Sequence, residues 1–157
     1  MKILFVCLGN ICRSPLAEAV FKHQISKKGL ENHFFADSAG TANYHVGHSP
    51  DPRTIRNALK NGVSIDHRGR QFSAADFEKF DLILAMDASN FDNIMRVSGA
   101  HVHAGKVKMM RSYDALDENA DVPDPYYGTE KDFQHVFDVL ERSMQSLIAD
   151  LERTFEK

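Results

Sequence analysis

The chain has 157 residues, one domain's worth on the usual scale of roughly 100 to 200, and a single domain over residues 1–157 is expected. With 43% hydrophobic, 10% aromatic and 26% charged residues, the composition excludes disordered, collagenous and disulfide-scaffold chains. Nineteen Lys and Arg against twenty-two Asp and Glu leave a formal charge of -3, so bulk charge draws the protein to neither nucleic acid nor an anionic membrane, and any anion site must be local.

The opening Met1-Lys2-Ile3-Leu4-Phe5-Val6-Cys7-Leu8 starts like a signal peptide, but Gly9-Asn10 and then Arg13 break its apolar run too early for an export signal. No other apolar stretch approaches the ~20 residues of a bilayer span, so a soluble, cytoplasmic protein is expected. The two cysteines, Cys7 and Cys12, are poor material for a structural framework in a reducing compartment and point instead to thiol chemistry.

Lys2 to Val6 reads as a buried parallel strand, apolar after its first residue. Ser14 and Pro15 suit the N-cap and first position of a helix whose apolar face carries Leu16, Val20, Phe21 and Ile25 and which ends at Lys28-Gly29. Phe34 to Asp37 reads as a second strand, Asp51-Pro52 opens a helix that Gly62 stops, and Ser73 with Asp76 caps a short helix. Phe80 to Met86 is the best internal strand, Asp87 caps the helix after it, and Lys106 to Met110 is a weaker strand. Thr129 and Asp132 then pair to start a long final helix striped with Phe133, Val136, Phe137, Leu140, Met144, Leu147 and Leu151. The alternation predicts an α/β fold, a doubly wound sheet of four parallel strands with helices on both faces.

In such a sheet ligands sit beyond the carboxyl ends of the strands, which singles out the loop Cys7-Leu8-Gly9-Asn10-Ile11-Cys12-Arg13. Gly9 and Asn10 tolerate left-handed backbone, so successive amides can turn inward as a nest at a helix N-terminus, a seat for a tetrahedral anion. Those amides, the helix dipole and Arg13 would favour a Cys7 thiolate, the nucleophilic form. Arg13 adds a planar fork for two phosphoryl oxygens. A buried cysteine beside a solvated arginine is the plainer alternative, and the glycine turn followed by a capped helix argues against it.

The stretch Cys7 to Pro15, a cysteine, five residues, Arg and Ser after the first strand, resembles the signature loop of the low-molecular-weight protein tyrosine phosphatases. The resemblance continues through Asp37-Ser38-Ala39-Gly40-Thr41, Val46-Gly47, Asp51-Pro52-Arg53, His67, Arg70-Gln71, Met86-Asp87 and Val122-Pro123-Asp124-Pro125-Tyr126-Tyr127-Gly128. It implies a cytoplasmic enzyme without metal or cofactor, on a flavodoxin-like sheet, which hydrolyses phosphotyrosine in proteins and aryl phosphates through a phosphocysteine intermediate. The expected oligomeric state is a monomer or weak dimer.

Carried over residue by residue, the likeness makes Cys7 the nucleophile, Arg13 the phosphate clamp and Asp124 the general acid. Leu8, Gly9, Asn10, Ile11, Cys12 and Ser14 become the phosphate-binding loop, with Ser14 donating to the Cys7 sulfur. Ser38 and His67, with Asn10, match the network that holds that loop. Tyr44, His45, Tyr126 and Tyr127 match the substrate wall, although Tyr44 stands where relatives often carry Trp. Cys12 matches a second cysteine able to form a reversible disulfide with the nucleophile. Read alone, Ser14 is equally a helix cap, Asp124 a turn residue, the tyrosines surface aromatics and Cys12 a packing residue. Two other functions use similar loops. An arsenate reductase would need relay cysteines outside the loop, which this chain lacks, and a phosphopeptide or oxyanion binder would not need Cys7, Arg13 and Asp124 together. His101 and His103 invite a metal reading, but no carboxylate or thiolate stands at ligand spacing beside them, so no metal is expected.

Overall fold

The computed structural model describes residues 1–156. Four strands form one parallel sheet: β1 (Lys2–Cys7), β2 (Phe35–Gly40), β3 (Leu82–Ala85) and β4 (Val107–Met109), in the spatial order β2-β1-β3-β4. The helices are α1 (Arg13–Lys27), α2 (Pro52–Lys60), α3 (Ala75–Lys79), α4 (Ala88–Met95) and α5 (Glu130–Phe155). The apolar run of β1 is explained by its two buried faces. Ile3, Phe5 and Cys7 face a core shared with α1 and α5, while Leu4 and Val6 face a second core with Phe77, Phe80 and Ile94 from the α3 and α4 side. The chain leaves β1 toward β2 on one side and returns as β3 on the other, which opens a crevice at the carboxyl end of β1. None of the helices among the described residues is long and apolar enough to cross a membrane.

The predicted elements are all present, and the departures lie at their ends. β2 continues beyond Asp37 through Ser38, Ala39 and Gly40, residues of weak strand propensity, because they pair with Phe5, Val6 and Cys7. β3 and β4 are each shorter than predicted: Phe80 is taken by the end of α3, and 3-10 turns at Ala100–Lys106 and Met110–Tyr113 flank β4. Helix α1 starts two residues early, with Cys12 at the N-cap and no side-chain cap. Ser14 is therefore the second helical residue rather than the cap, and its hydroxyl turns to the neighbouring loop instead. Asp51, Asp87 and the Thr129–Asp132 pair do mark helix starts: Asp51 accepts from the Arg53 amide (2.8 Å), Asp87 from that of Asn90 (2.7 Å) and Asp132 from that of Thr129 (2.6 Å).

Candidate active site

The loop from Cys7 to Arg13 is fixed by where its carbonyls go. Those of Cys7, Leu8 and Ile11 accept from the amides of Thr41, Ala42 and Asp51 at 2.9, 3.0 and 2.8 Å, and that of Cys12 accepts from Leu16 within α1. Because N–H and C=O of a trans peptide point in opposite directions, the amides of Leu8, Gly9, Cys12 and Arg13 turn inward, and that of Asn10 points at Cys7 Sγ (3.3 Å). The result is an anion cradle at the N-terminus of α1. Only Asn10 of the two expected residues adopts the left-handed conformation, at φ 57°. Gly9 answers a different need, since a Cβ there would lie 3.2 Å from the His45 ring. Gly40 permits β2 to approach the loop, because a Cβ would stand 2.7 Å from the Leu8 carbonyl.

Cys7 lies buried at the floor with its Sγ 3.0 Å from Ser14 Oγ. The Asn10 amide group donates to Ser14 Oγ (2.8 Å) and Ser38 Oγ (3.0 Å), so the Ser14 hydroxyl can turn its own proton to the Cys7 sulfur, the nearer of its two acceptors, with the Ala39 carbonyl at 3.4 Å. Asn10 Oδ1 meets His67 Nε2 at 2.7 Å and accepts from the Arg70 amide at 3.1 Å, so every hydrogen-bonding capacity of this buried side chain is used. Behind it, Ser38 donates to Glu18 (2.7 Å), His67 Nδ1 lies 3.2 Å from the same carboxylate, and Lys22 closes on its other oxygen at 2.6 Å. Burial raises the Glu18 carboxyl's proton affinity, but the bonds from His67, Lys22 and Ser38 more than offset it and hold the group below its ordinary range. Glu18, Asp37 and His67 come close enough to share a cation, yet Arg70 occupies Asp37 (3.0 Å) and Glu18 is fully bonded, which makes the trio a brace.

The Arg13 side chain is 4% exposed; it donates to Asp87 (2.6 Å) and the Val122 carbonyl (3.0 Å) and reaches Asp124 at 3.7 Å. Burial opposes its charge, while Cys7, Asp87 and Asp124 outweigh that effect and raise its proton affinity, so it stays a guanidinium. Asp87 thus serves twice, one oxygen capping α4 and the other orienting Arg13. Burial pushes the Cys12 thiol up to about 12, away from the thiolate form. Above the floor opens a cavity of 330 Å³, walled by Leu8, Ile11, Tyr44, His45, Tyr126 and Tyr127 and flanked by Asp124. Arg53, paired with Asp51 at 2.8 Å, lies under the Tyr126 ring at 5.3 Å and so steadies that wall.

Every residue expected in the active site therefore falls in this cavity or in the network behind it, while His101 and His103 lie apart from it in the turn before β4. Sequence reasoning missed Glu18, Asp87 as the partner of Arg13, and the support from Arg53. The position of Asp87 at the carboxyl end of a buried strand beside the switch point was the available signal for one of these; Glu18 carried none beyond lying one turn after Ser14.

A thiol in an amide nest, clamped by a buried arginine and faced by a carboxyl, defines a phosphate-handling enzyme of the thiol class. The family model for low molecular weight phosphotyrosine protein phosphatase matches residues 2–157, and the chain belongs to that family. A phosphatase of that name from Schizosaccharomyces pombe is 50% identical over 129 residues, 82% of each chain. A crystal structure of a protein tyrosine phosphatase from Entamoeba histolytica superimposes with a TM-score of 0.93 at 41% identity over 98% of both chains. The fold also matches a Drosophila arginine phosphatase, with a TM-score of 0.84 at 34% identity over 96% of this chain and 98% of that one. Family and fold together make this chain a protein tyrosine phosphatase of the low-molecular-weight class, a hydrolase.

Proposed function

We propose that the chain hydrolyses phosphotyrosine in proteins by way of a phosphocysteine, with no metal. The observation that carries this reading is Cys7 Sγ at the cavity floor, held by Ser14 Oγ at 3.0 Å and the Asn10 amide at 3.3 Å. The thiolate attacks phosphorus while the P–O bond to tyrosine breaks, and the leaving oxygen takes its electron pair and a proton from Asp124. The cradle amides and the Arg13 fork hold the three equatorial oxygens through the transition state. Water then attacks phosphorus, giving its proton to the Asp124 carboxylate, and the S–P bond breaks to restore the thiolate, which Ser14 stabilises as it departs. The aromatic walls at Tyr44, Tyr126 and Tyr127 offer ring faces against which an aryl leaving group can lie. Cys7→Ser should abolish turnover of phosphotyrosyl peptides while phosphate binding persists, because the cradle and Arg13 remain. Turnover surviving in that variant overturns the assignment.

The same loop supports a redox role. Peroxide converts the Cys7 thiolate to a sulfenic acid, the Cys12 sulfur attacks it, and the Cys12 proton leaves with the sulfenic oxygen as water, giving a disulfide that thiols reduce. Cys12→Ser should turn a thiol-reversible inactivation into one that thiols do not restore. Full recovery in the variant removes Cys12 from this role.

A further inference from the structure

The segment after Tyr44 carries a pair of histidines that phosphate chemistry does not require. His45 Nδ1 and His48 Nδ1 face each other at 3.3 Å, with the rings 5.5 Å apart. Two nitrogens each about 2.0–2.1 Å from a tetrahedral ion stand about 3.3 Å apart, so the spacing is already that of a zinc chelate. The backbone holds it there. The His48 amide donates to the His45 carbonyl (3.0 Å), Gly47 donates to the Gly69 carbonyl (2.8 Å) and Gly69 donates back to His48 (2.9 Å), while Gly47 takes a positive φ of 82° that suits its lack of a side chain. A Cβ on Gly69 would collide with the His45 carbonyl, so close approach of the two segments is built in.

We propose that His45 and His48 form a binding site for a zinc-like transition-metal cation at the rim of the catalytic cavity. Two imidazoles without a carboxylate select borderline ions over magnesium or calcium, which require oxygen ligands. The pair is now joined by one Nδ1–H donating to the other's bare Nδ1. Ligation uses both Nδ1 lone pairs, so the donor ring moves its proton to Nε2, where the acceptor ring already carries its own, and waters fill the remaining positions. His45 transmits the change inward, because its opposite edge, Cδ2 and Nε2, lies against Gly9 of the phosphate loop. Metal binding therefore fixes which tautomer the cavity wall presents. This departs from the expectation of no metal, which weighed His101 and His103 by their spacing alone and overlooked the pair that the turn at Gly47 brings together.

The test uses Zn²⁺ alone, titrated into Cys7→Ser protein so that the reactive thiolate cannot compete as a ligand. Calorimetry should give one ion per chain, and long-range nitrogen–proton spectra of the imidazoles should show both Nδ1 signals of His45 and His48 moving together. His48→Asn in the same background removes one ligand at an exposed position and should weaken binding at least about tenfold with an unchanged melting temperature. Zinc bound as tightly by the His48→Asn protein, or spectral changes centred on His67 or on His101 and His103, overturns the proposal.

Discussion

On the Cys7 side of the cavity, Cys7, Asn10, Arg13 and Ser14 are all buried, and each polar atom of the Asn10 side chain has a partner. On the facing side, the Asp124 side chain is 50% exposed, accepts from the Tyr126 amide at 3.1 Å and stands 3.7 Å from Arg13, while Tyr127 lies almost wholly in solvent. The phosphoryl group thus meets dipoles that are oriented before it arrives, and such groups stabilise developing charge without reorganising. The rest of the substrate meets exposed rings and a carboxyl able to adjust to what they hold. The two sides should accordingly fail in different ways.

The largest loss is expected on the fixed side. Arg13→Lys keeps the charge but replaces a fork held by Asp87 and the Val122 carbonyl with a single ammonium. The rate should fall on the order of 10³ to 10⁵, the range that a phosphoryl-clamping arginine commands. Because the clamp acts on the phosphoryl group itself, the loss should be alike for every leaving group. A loss of only a few-fold in steady-state kcat would mean that the cradle amides carry the charge without it.

Asp124→Asn tests the adaptable side. Phosphotyrosine hydrolysis should slow by about 10² to 10⁴, the usual worth of a general acid. Unlike the Arg13 variant, this one should discriminate: an aryl phosphate with a far more acidic phenol needs little proton donation and should lose less. A uniform loss across a leaving-group series would return Asp124 to the role of a turn residue between Pro123 and Pro125.

The same division governed what could be read from the chain. The strands and helices are legible because β1 after its first residue and β3 throughout are apolar and α5 carries a regular stripe, signals that depend on local pattern. The cradle was legible because strand, loop and capped helix are contiguous. Ser38, Asn10 and His67 come from three separate segments, and only likeness to a family joined them. Glu18 was out of reach: in sequence it is an acidic residue on a helix, and its burial becomes visible only once β2 has brought Ser38, and the segment after it His67, against α1. The reading of Ser14 as a cap failed for an instructive reason. A helix whose first amides must receive an anion leaves them unfilled by its own side chains, and the serine is released for the sulfur.

Glu18 also supplies the smallest expected effect and the sharpest contrast between the sides. Its carboxylate accepts from Ser38 and Lys22 and faces His67, all behind the phosphate loop, so Glu18→Gln weakens charged hydrogen bonds in a buried site. The cost should be about 2 kcal/mol of folding stability at neutral pH, roughly 30-fold in the folding equilibrium. Because the folded carboxyl sits below its ordinary value of 4.5, its stabilisation is complete above that pH and is lost as pH falls through the depressed value. Glutamine does not titrate. Denaturant unfolding should therefore show a gap between the wild-type and Glu18→Gln proteins that is constant near neutrality and narrows below about pH 4.5. Asp124→Asn, on the exposed side, should leave stability within about 0.5 kcal/mol of the wild type while it costs rate. A Glu18→Gln gap that does not change with pH would show that the loss comes from packing, and that the ionised network is not what holds the phosphate loop in place.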